Sequence, residues 1–253
     1  MLRTFSHRTP LQTLSEISRR SGLPLTTTHR LVRELLQGGA LERDDDGRYR
    51  IGLWLWEIAA LAPRGLGLRE VAMPFLEDVY EATRQHAQLA VLDGSDAVFL
   101  ERISGRGAVH VFTRVGGRLP LHATGVGLVL LAYADRDLQE QVIGGPLRRY
   151  TQYTVADGEQ LRRRLADIRR DGYVISSRAI EEISLSVAAP VHDAEDRVVA
   201  AVSTVVPYGQ HDPLALVPLI KAAARGISRV LGAPSATGLP KSVRRTSLAW
   251  QPD

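Results

Sequence analysis

The sequence predicts an α+β chain in two parts: a winged helix-turn-helix domain, and a larger domain of antiparallel strands with helices packed on them, joined by a linker helix. Three observations predict it. Residues 14–49 hold two short amphipathic helices around a glycine turn, followed by a charged hairpin. The run Pro63-Arg64-Gly65-Leu66-Gly67 gathers helix breakers between two helical patterns and marks a boundary. Beyond it, apolar segments of strand length alternate with turn signals and capped helices. At 253 residues the chain exceeds the usual size of one domain, so two are the default expectation. The expected divisions are 1–62 for the winged domain, 63–84 for the linker helix, 85–232 for the larger domain and 233–253 for a disordered tail carrying Pro234, Pro240, Arg244 and Arg245.

The first helix opens at Thr13. Its hydroxyl can accept a bond from a first-turn amide while Glu16, three residues on, reaches back to the Thr13 amide, the arrangement of a capping box. Leu14 and Ile17 share a face, and Ser21-Gly22 stops the helix because glycine tolerates the left-handed backbone of a helix end. After the turn Gly22-Leu23-Pro24-Leu25, Thr26 is expected to cap a second helix whose apolar side carries Thr28, Leu31, Val32, Leu35 and Leu36. Its other side shows Thr26, Thr27, His29, Arg30, Arg33, Glu34 and Gln37, which can meet phosphate oxygens and base edges in a major groove about as wide as a helix. Gly38-Gly39 ends it. Residues 40–51 alternate around Asp44-Asp45-Asp46-Gly47, a hairpin signal, and put Arg48 and Arg50 on one face of the return strand, in reach of backbone phosphate or the minor groove. Either helix alone reads as a solvated surface helix, whereas the combination has few uses other than DNA binding. The three aspartates would repel phosphate, so their expected role is to shape the turn.

Residues 53–61 form a short helix before the breaker cluster. In the linker helix Leu68, Val71, Phe75, Leu76, Val79 and Tyr80 keep the spacing of one face, and Pro74 is expected to kink or split it. That stripe must bury itself against a second DNA-binding head or against its own larger domain. Residues 87–92 and 97–102 flank Asp93-Gly94 as a hairpin, 109–115 is expected to be a further strand, and 123–133 an apolar helix. A short helix follows Asp135, and Asp157-Gly158-Glu159-Gln160 reads as a second capping box opening a basic helix that stops at Asp171-Gly172. Strands at 173–176, 185–191 and 198–205 come next, with a turn at 192–196. Asp212-Pro213 then opens a last helix with the apolar series Ile220, Ala223, Ile227 and Val230.

Composition excludes more than it assigns. Without cysteine there is no disulfide framework, thiolate metal site or cysteine nucleophile. The lack of a leader or long apolar run predicts a cytoplasmic protein with no membrane partner. The formal net charge of +4 suits one basic face, and an architectural DNA binder would need more and would not carry the larger domain. No Gly-x-Ser-x-Gly elbow, His-Glu-x-x-His pair or glycine-rich phosphate loop is present, so a hydrolase is the weakest reading and no cofactor or metal is expected. Lys221 and Lys241 are the only lysines; the arginine bias suits phosphate and guanine and equally reflects genome composition.

The stretch 14–24 (LSEISRRSGLP) followed by Thr27-Thr28-His29-Arg30-Leu31 resembles the DNA-binding signature of the isocitrate lyase regulator (IclR) family of bacterial transcription factors. Residues 116–125 (GGRLPLHATG) resemble its effector-domain motif, and Gly172-Tyr173 through Ala188-Ala189-Pro190-Val191 to Pro207 its closing strands, so the resemblance covers residues 1–232. It implies a GAF-like effector-binding fold for the larger domain and a regulator that reads a palindromic double-stranded operator as a homodimer or dimer of dimers, repression being expected over activation. The segment Leu121-His122-Ala123-Thr124-Gly125 enters a helix, and a helix start favours an anion such as a carboxylate. By resemblance Ser186 and Ser203 fall where the family places polar groups on its ligand, with Ser176, Ser177 and Arg178 on the preceding strand and loop. A strand serine is ordinarily just a small residue, His122 can serve merely to tie the domain together, and Arg178 can pair with Glu181 or Glu182. The sequence departs from the family where Ile183-Ser184-Leu185 follows that acidic pair and Val205 replaces a second pocket hydroxyl. The pocket is therefore expected to be less polar and to suit an aromatic carboxylate over glyoxylate. The family's first helix is represented only by residues 2–6, so either the domain begins short or the true start lies upstream. A sensor-like domain used only for dimerisation, without ligand, stays open as the alternative.

Overall fold

The computed structural model describes residues 1–6, 8–61 and 66–237, in two compact units, one of residues 1–68 and one from Arg69 onward. Most of the breaker cluster, and the tail beyond Thr237, fall outside the described residues.

In the first unit, α1 (Leu14–Ser21) starts with the capping box read from the sequence: the Glu16 amide donates to Thr13 Oγ1 at 3.3 Å and the Thr13 amide to Glu16 Oε2 at 2.8 Å. Gly22 closes it at φ 70°, a left-handed conformation that costs glycine little. One expectation is corrected at α2 (Leu25–Gln37), where the cap position is Pro24 and Thr26 lies inside the first turn. Proline fixes the extended entry backbone, and the Thr28 hydroxyl bonds back to Pro24 O at 3.0 Å, so the turn is held without a side-chain cap. The hairpin β1 (Leu41–Arg43) and β2 (Tyr49–Ile51) pairs Glu42 with Arg50, and α3 (Leu53–Ala60) follows. Ile17, Val32, Leu41 and Tyr49 form the core, with Leu2 and Phe5 packed against it from a short 3-10 turn (Leu2–Thr4).

The linker helix α4 (Leu66–Thr83) runs through Pro74 as one helix, contrary to the expected split. Ala72, Leu76 and Val79 are fully buried on both sides of the proline, whose own ring is exposed, so packing keeps the helix continuous. Ala72, absent from the predicted stripe, is at its centre.

The second unit is built on a six-stranded antiparallel sheet. Its strands are β3 (His86–Asp93), β4 (Asp96–Ile103), β5 (Arg118–Pro120), β6 (Val174–Ser177), β7 (Ser184–His192) and β8 (Val198–Pro207), in the order β5-β4-β3-β8-β7-β6. One face carries α5 (Gly125–Ala132), fully buried along its length, and behind it α6 (Arg136–Gly144) and α7 (Gly158–Asp171). Ala90, Phe99, Ala188 and Ala201 point into that core, and the alternation of β7 leaves Val187, Ala189 and Val191 for α8 (Pro213–Val230) on the opposite face. Asp157 caps α7 through the Gln160 amide at 2.7 Å, and Gly172 ends it at φ 73°.

Four further expectations are corrected. Residues 109–115 are not a strand, because their backbone groups are taken by side chains: the Val109 amide donates to Gln85 Oε1 at 3.0 Å, the Phe112 amide to Glu181 Oε1 at 2.6 Å, and Thr113 O accepts from Arg102. The apolar helix predicted over 123–133 begins later, after a 3-10 turn (Leu121–Ala123), and Val230 is 59% exposed where a core position was expected. Residues 234–237 form a short helix, α9 (Pro234–Thr237), with Ala236 buried against α8, so the predicted disordered tail does not start at 233.

Candidate functional site

On the first unit Thr26, His29, Arg30, Arg33, Arg48 and Arg50 are exposed and Thr27 is half-buried. Their charges are not equally available. Arg30 pairs with Glu34 one turn on, at 2.9 Å, and Arg50 with Glu42 across the hairpin, also at 2.9 Å. The Leu53 amide and that guanidinium together hold the Glu42 carboxyl below its ordinary range, which keeps Arg50 engaged. Among the described residues Arg33 and Arg48 have no acidic partner, and they are the cations free to meet phosphate or a base edge. Asp44 accepts the Arg48 amide at 2.8 Å, as expected of a turn-shaping residue.

The second unit contains a pocket between the sheet, the start of α5 and two loops. Strand register builds its floor: Ser186 lies between Ser176 and Val205, and Ser203 between Ala188 and Gln88. At its end Thr124 caps α5, its hydroxyl accepting the Gly127 amide at 3.0 Å, which leaves the Gly125 and Val126 amides as the other first-turn donors. Gly125 lies so close to the sheet that a β-carbon there would come within 2.7 Å of Ser186 Oγ. Phe99, Val111, Leu119 and Val205 make the walls apolar, and the described lining includes no lysine or arginine.

Ala123, Thr124, Gly125, Ser176, Ser186 and Ser203 thus come together, whereas His122 and Arg178 do not join them. His122 is 5% exposed and its Nε2 meets Arg148 O at 2.9 Å, so it ties the loop at 148 to the core. The Arg178 guanidinium is clamped between the rings of Tyr153 and Tyr208, at 3.6 and 4.3 Å from their centroids, rather than pairing with Glu181 or Glu182. Its backbone is left-handed, φ 58°. Sequence reasoning missed Gln88, Thr113, Glu181 and Ser184. Gln88 was findable as the one amide inside an apolar strand; it donates to Thr113 Oγ1 at 2.6 Å and accepts from Ser203 at 3.5 Å. Among the described residues no three His, Cys, Asp or Glu side chains gather as a metal site, and no helix is long and apolar enough to cross a membrane.

A winged DNA-reading head joined to an α+β domain with a donor-ended pocket defines a DNA-binding regulator with a ligand-binding C-terminal domain. The sequence comparisons give the family. The bacterial transcriptional regulator IclR C-terminal family matches residues 61–229, and the IclR helix-turn-helix domain matches residues 1–45. The chain belongs to the IclR family of transcriptional regulators. It is 32% identical to the HTH-type transcriptional regulator XynR of Escherichia coli (strain K12), over 88% of this chain and 90% of that protein. To the HTH-type transcriptional repressor AllR of Klebsiella pneumoniae it is 30% identical, over 87% and 82%. In structure it is similar to an IclR homolog from Microbacterium hydrocarbonoxydans complexed with 4-hydroxybenzoate, with TM-score 0.87 and 43% identity over 91% of this chain and 95% of the other.

Proposed function

We propose that the protein is a repressor that binds a palindromic operator as a dimer, or dimer of dimers, and whose operator affinity is switched by a small aromatic carboxylate. The observation that carries this reading is the pocket: helix amides and serine hydroxyls at one end, apolar walls along its length. A carboxylate suits the first and an aromatic ring the second. The relative that holds 4-hydroxybenzoate supports the choice of acid. Thr26, Thr27, His29, Arg30, Arg33, Arg48 and Arg50 would contact DNA, and Thr124, Gly125, Ser176, Ser186 and Ser203 the acid.

Pairing of heads is supported by α3, whose Leu53, Trp54, Trp56 and Ile58 are exposed on nearly every side, Trp56 at 61%. A short helix that apolar in water needs a partner surface, and a second copy supplies one with the two-fold symmetry a palindrome requires. Two heads then present α2 to successive major grooves, and the acid acts by binding one head spacing better than another.

A mobility-shift assay at moderate salt with excess competitor DNA tests the scheme. A palindromic site should be held specifically and its affinity should change when the acid is added. Arg33→Ala should weaken operator binding and leave acid binding intact, and Ser186→Leu should do the reverse. Identical behaviour of the two variants would overturn the two-site assignment.

A further inference from the structure

We infer that Glu181 is a specificity-determining residue of this pocket, selecting ring acids with a hydrogen-bond donor para to the carboxylate and rejecting those with a second carboxylate there. This rests on the acid reading above and extends it to the opposite end of the ligand. Glu181 is the one charged side chain in the described lining. Among the described residues no lysine or arginine pairs with it; instead Oε1 accepts the Phe112 amide at 2.6 Å and Oε2 the Ser184 hydroxyl at 3.2 Å. Those bonds fix the carboxylate on the wall, bridging the loop that carries Phe112 to the start of β7. An ionised carboxyl only accepts, and each oxygen keeps a further lone pair for a donor in the pocket.

Position follows from the strand. Ser184 and Ser186 point to the same face of β7 and both line the pocket, two residues apart, which is about 6.8 Å in an antiparallel strand. Glu181 is held at Ser184, and the start of α5 abuts Ser186. The donor end and the acceptor end of the pocket therefore lie at successive same-face positions of β7, with the α5 amides beyond Ser186 and the Glu181 carboxylate beyond Ser184. A phenol para to the carboxylate would donate to Glu181, whereas a second carboxylate there would face a like charge.

The probes are 4-hydroxybenzoate, benzoate and terephthalate, titrated calorimetrically against the full chain and the Glu181→Gln variant. Glutamine keeps an oxygen for the Phe112 amide and a polar group for Ser184, and thermal melting without ligand checks that the fold is unchanged; Glu181→Ala is the second variant. The wild type should bind 4-hydroxybenzoate about tenfold more tightly than benzoate, the worth of one hydrogen bond to a charged group. Terephthalate should be the weakest of the three, and in both variants its affinity relative to benzoate should rise at least tenfold. Equal rankings in wild type and variants, with benzoate still bound, overturn the role of Glu181 while leaving the acid reading in place. Failure of all three acids to bind any of the proteins overturns that reading and this inference with it.

Discussion

Arg33 and Arg48 differ from Arg30 and Arg50 in one respect: no carboxylate of the described residues competes for them. Their replacement should therefore cost more. Arg33→Ala is expected to lower operator affinity about tenfold, the usual worth of a good base contact, and Arg48→Ala to reduce the slope of affinity against salt by about one counterion. Salt titrations of fluorescence anisotropy read both, and an unchanged slope for the Arg48 variant would remove it from the phosphate contacts. Residue types and spacing made these positions legible, because an exposed helix face can be counted off the sequence. Arg178 shows where counting stops: only the fold brings Tyr153 and Tyr208 to either side of it.

Elements here are held by a few local devices whose loss should be measurable. Removing the α1 cap with Thr13→Ala is expected to destabilise the head by about 1 kcal/mol in urea denaturation. Gly52→Ala should be much worse, since its β-carbon would lie 2.0 Å from Gly39 O, a backbone atom that cannot swing aside. A variant head that melts like the wild type would show that the α2–hairpin corner is looser than its geometry. In the second unit Gly226 of α8 admits the Phe75 ring of α4, its β-carbon position being 2.3 Å from Phe75 Cε1. That contact, with buried Ala72 and Leu76, settles which way the linker stripe faces, at least in its second half: onto its own domain. The segment 109–115 misled because its alternating pattern satisfies a strand, while its backbone partners are side chains remote in sequence, Gln85 and Glu181.

At the scale of the molecule, the second unit buries His86 and half-buries His192, which favours their neutral forms. Burial pulls His86 below its ordinary 6.5, against its bond to Val109 O, and pulls His192 down against the opposing pull of Asp196 and Asp193. The unfolded chain then takes up protons before the folded one does. Stability from these groups is complete above 6.5 and is lost as pH falls from there toward the depressed folded values. Denaturation midpoints measured from about pH 7.5 to about 5.5 should fall, and His86→Gln, which can still donate to Val109 O, should flatten the curve. A midpoint independent of pH in the wild type would sink this account.

Local chemistry lies in the sequence: the Thr13–Glu16 box, the glycine stops at Gly22 and Gly172, the exposed polar face of α2, and the alternation that names most strands and the α+β class. Neighbours along the chain decide those features, so a linear pattern suffices. Strand order β5-β4-β3-β8-β7-β6 is different, because hydrogen bonding between distant segments sets which residues share a floor. It is this pairing that joins Gln88 to Ser203 and Ser176 to Ser186, brings Glu181 to the pocket wall, and leaves His122 and Arg178 to the scaffold.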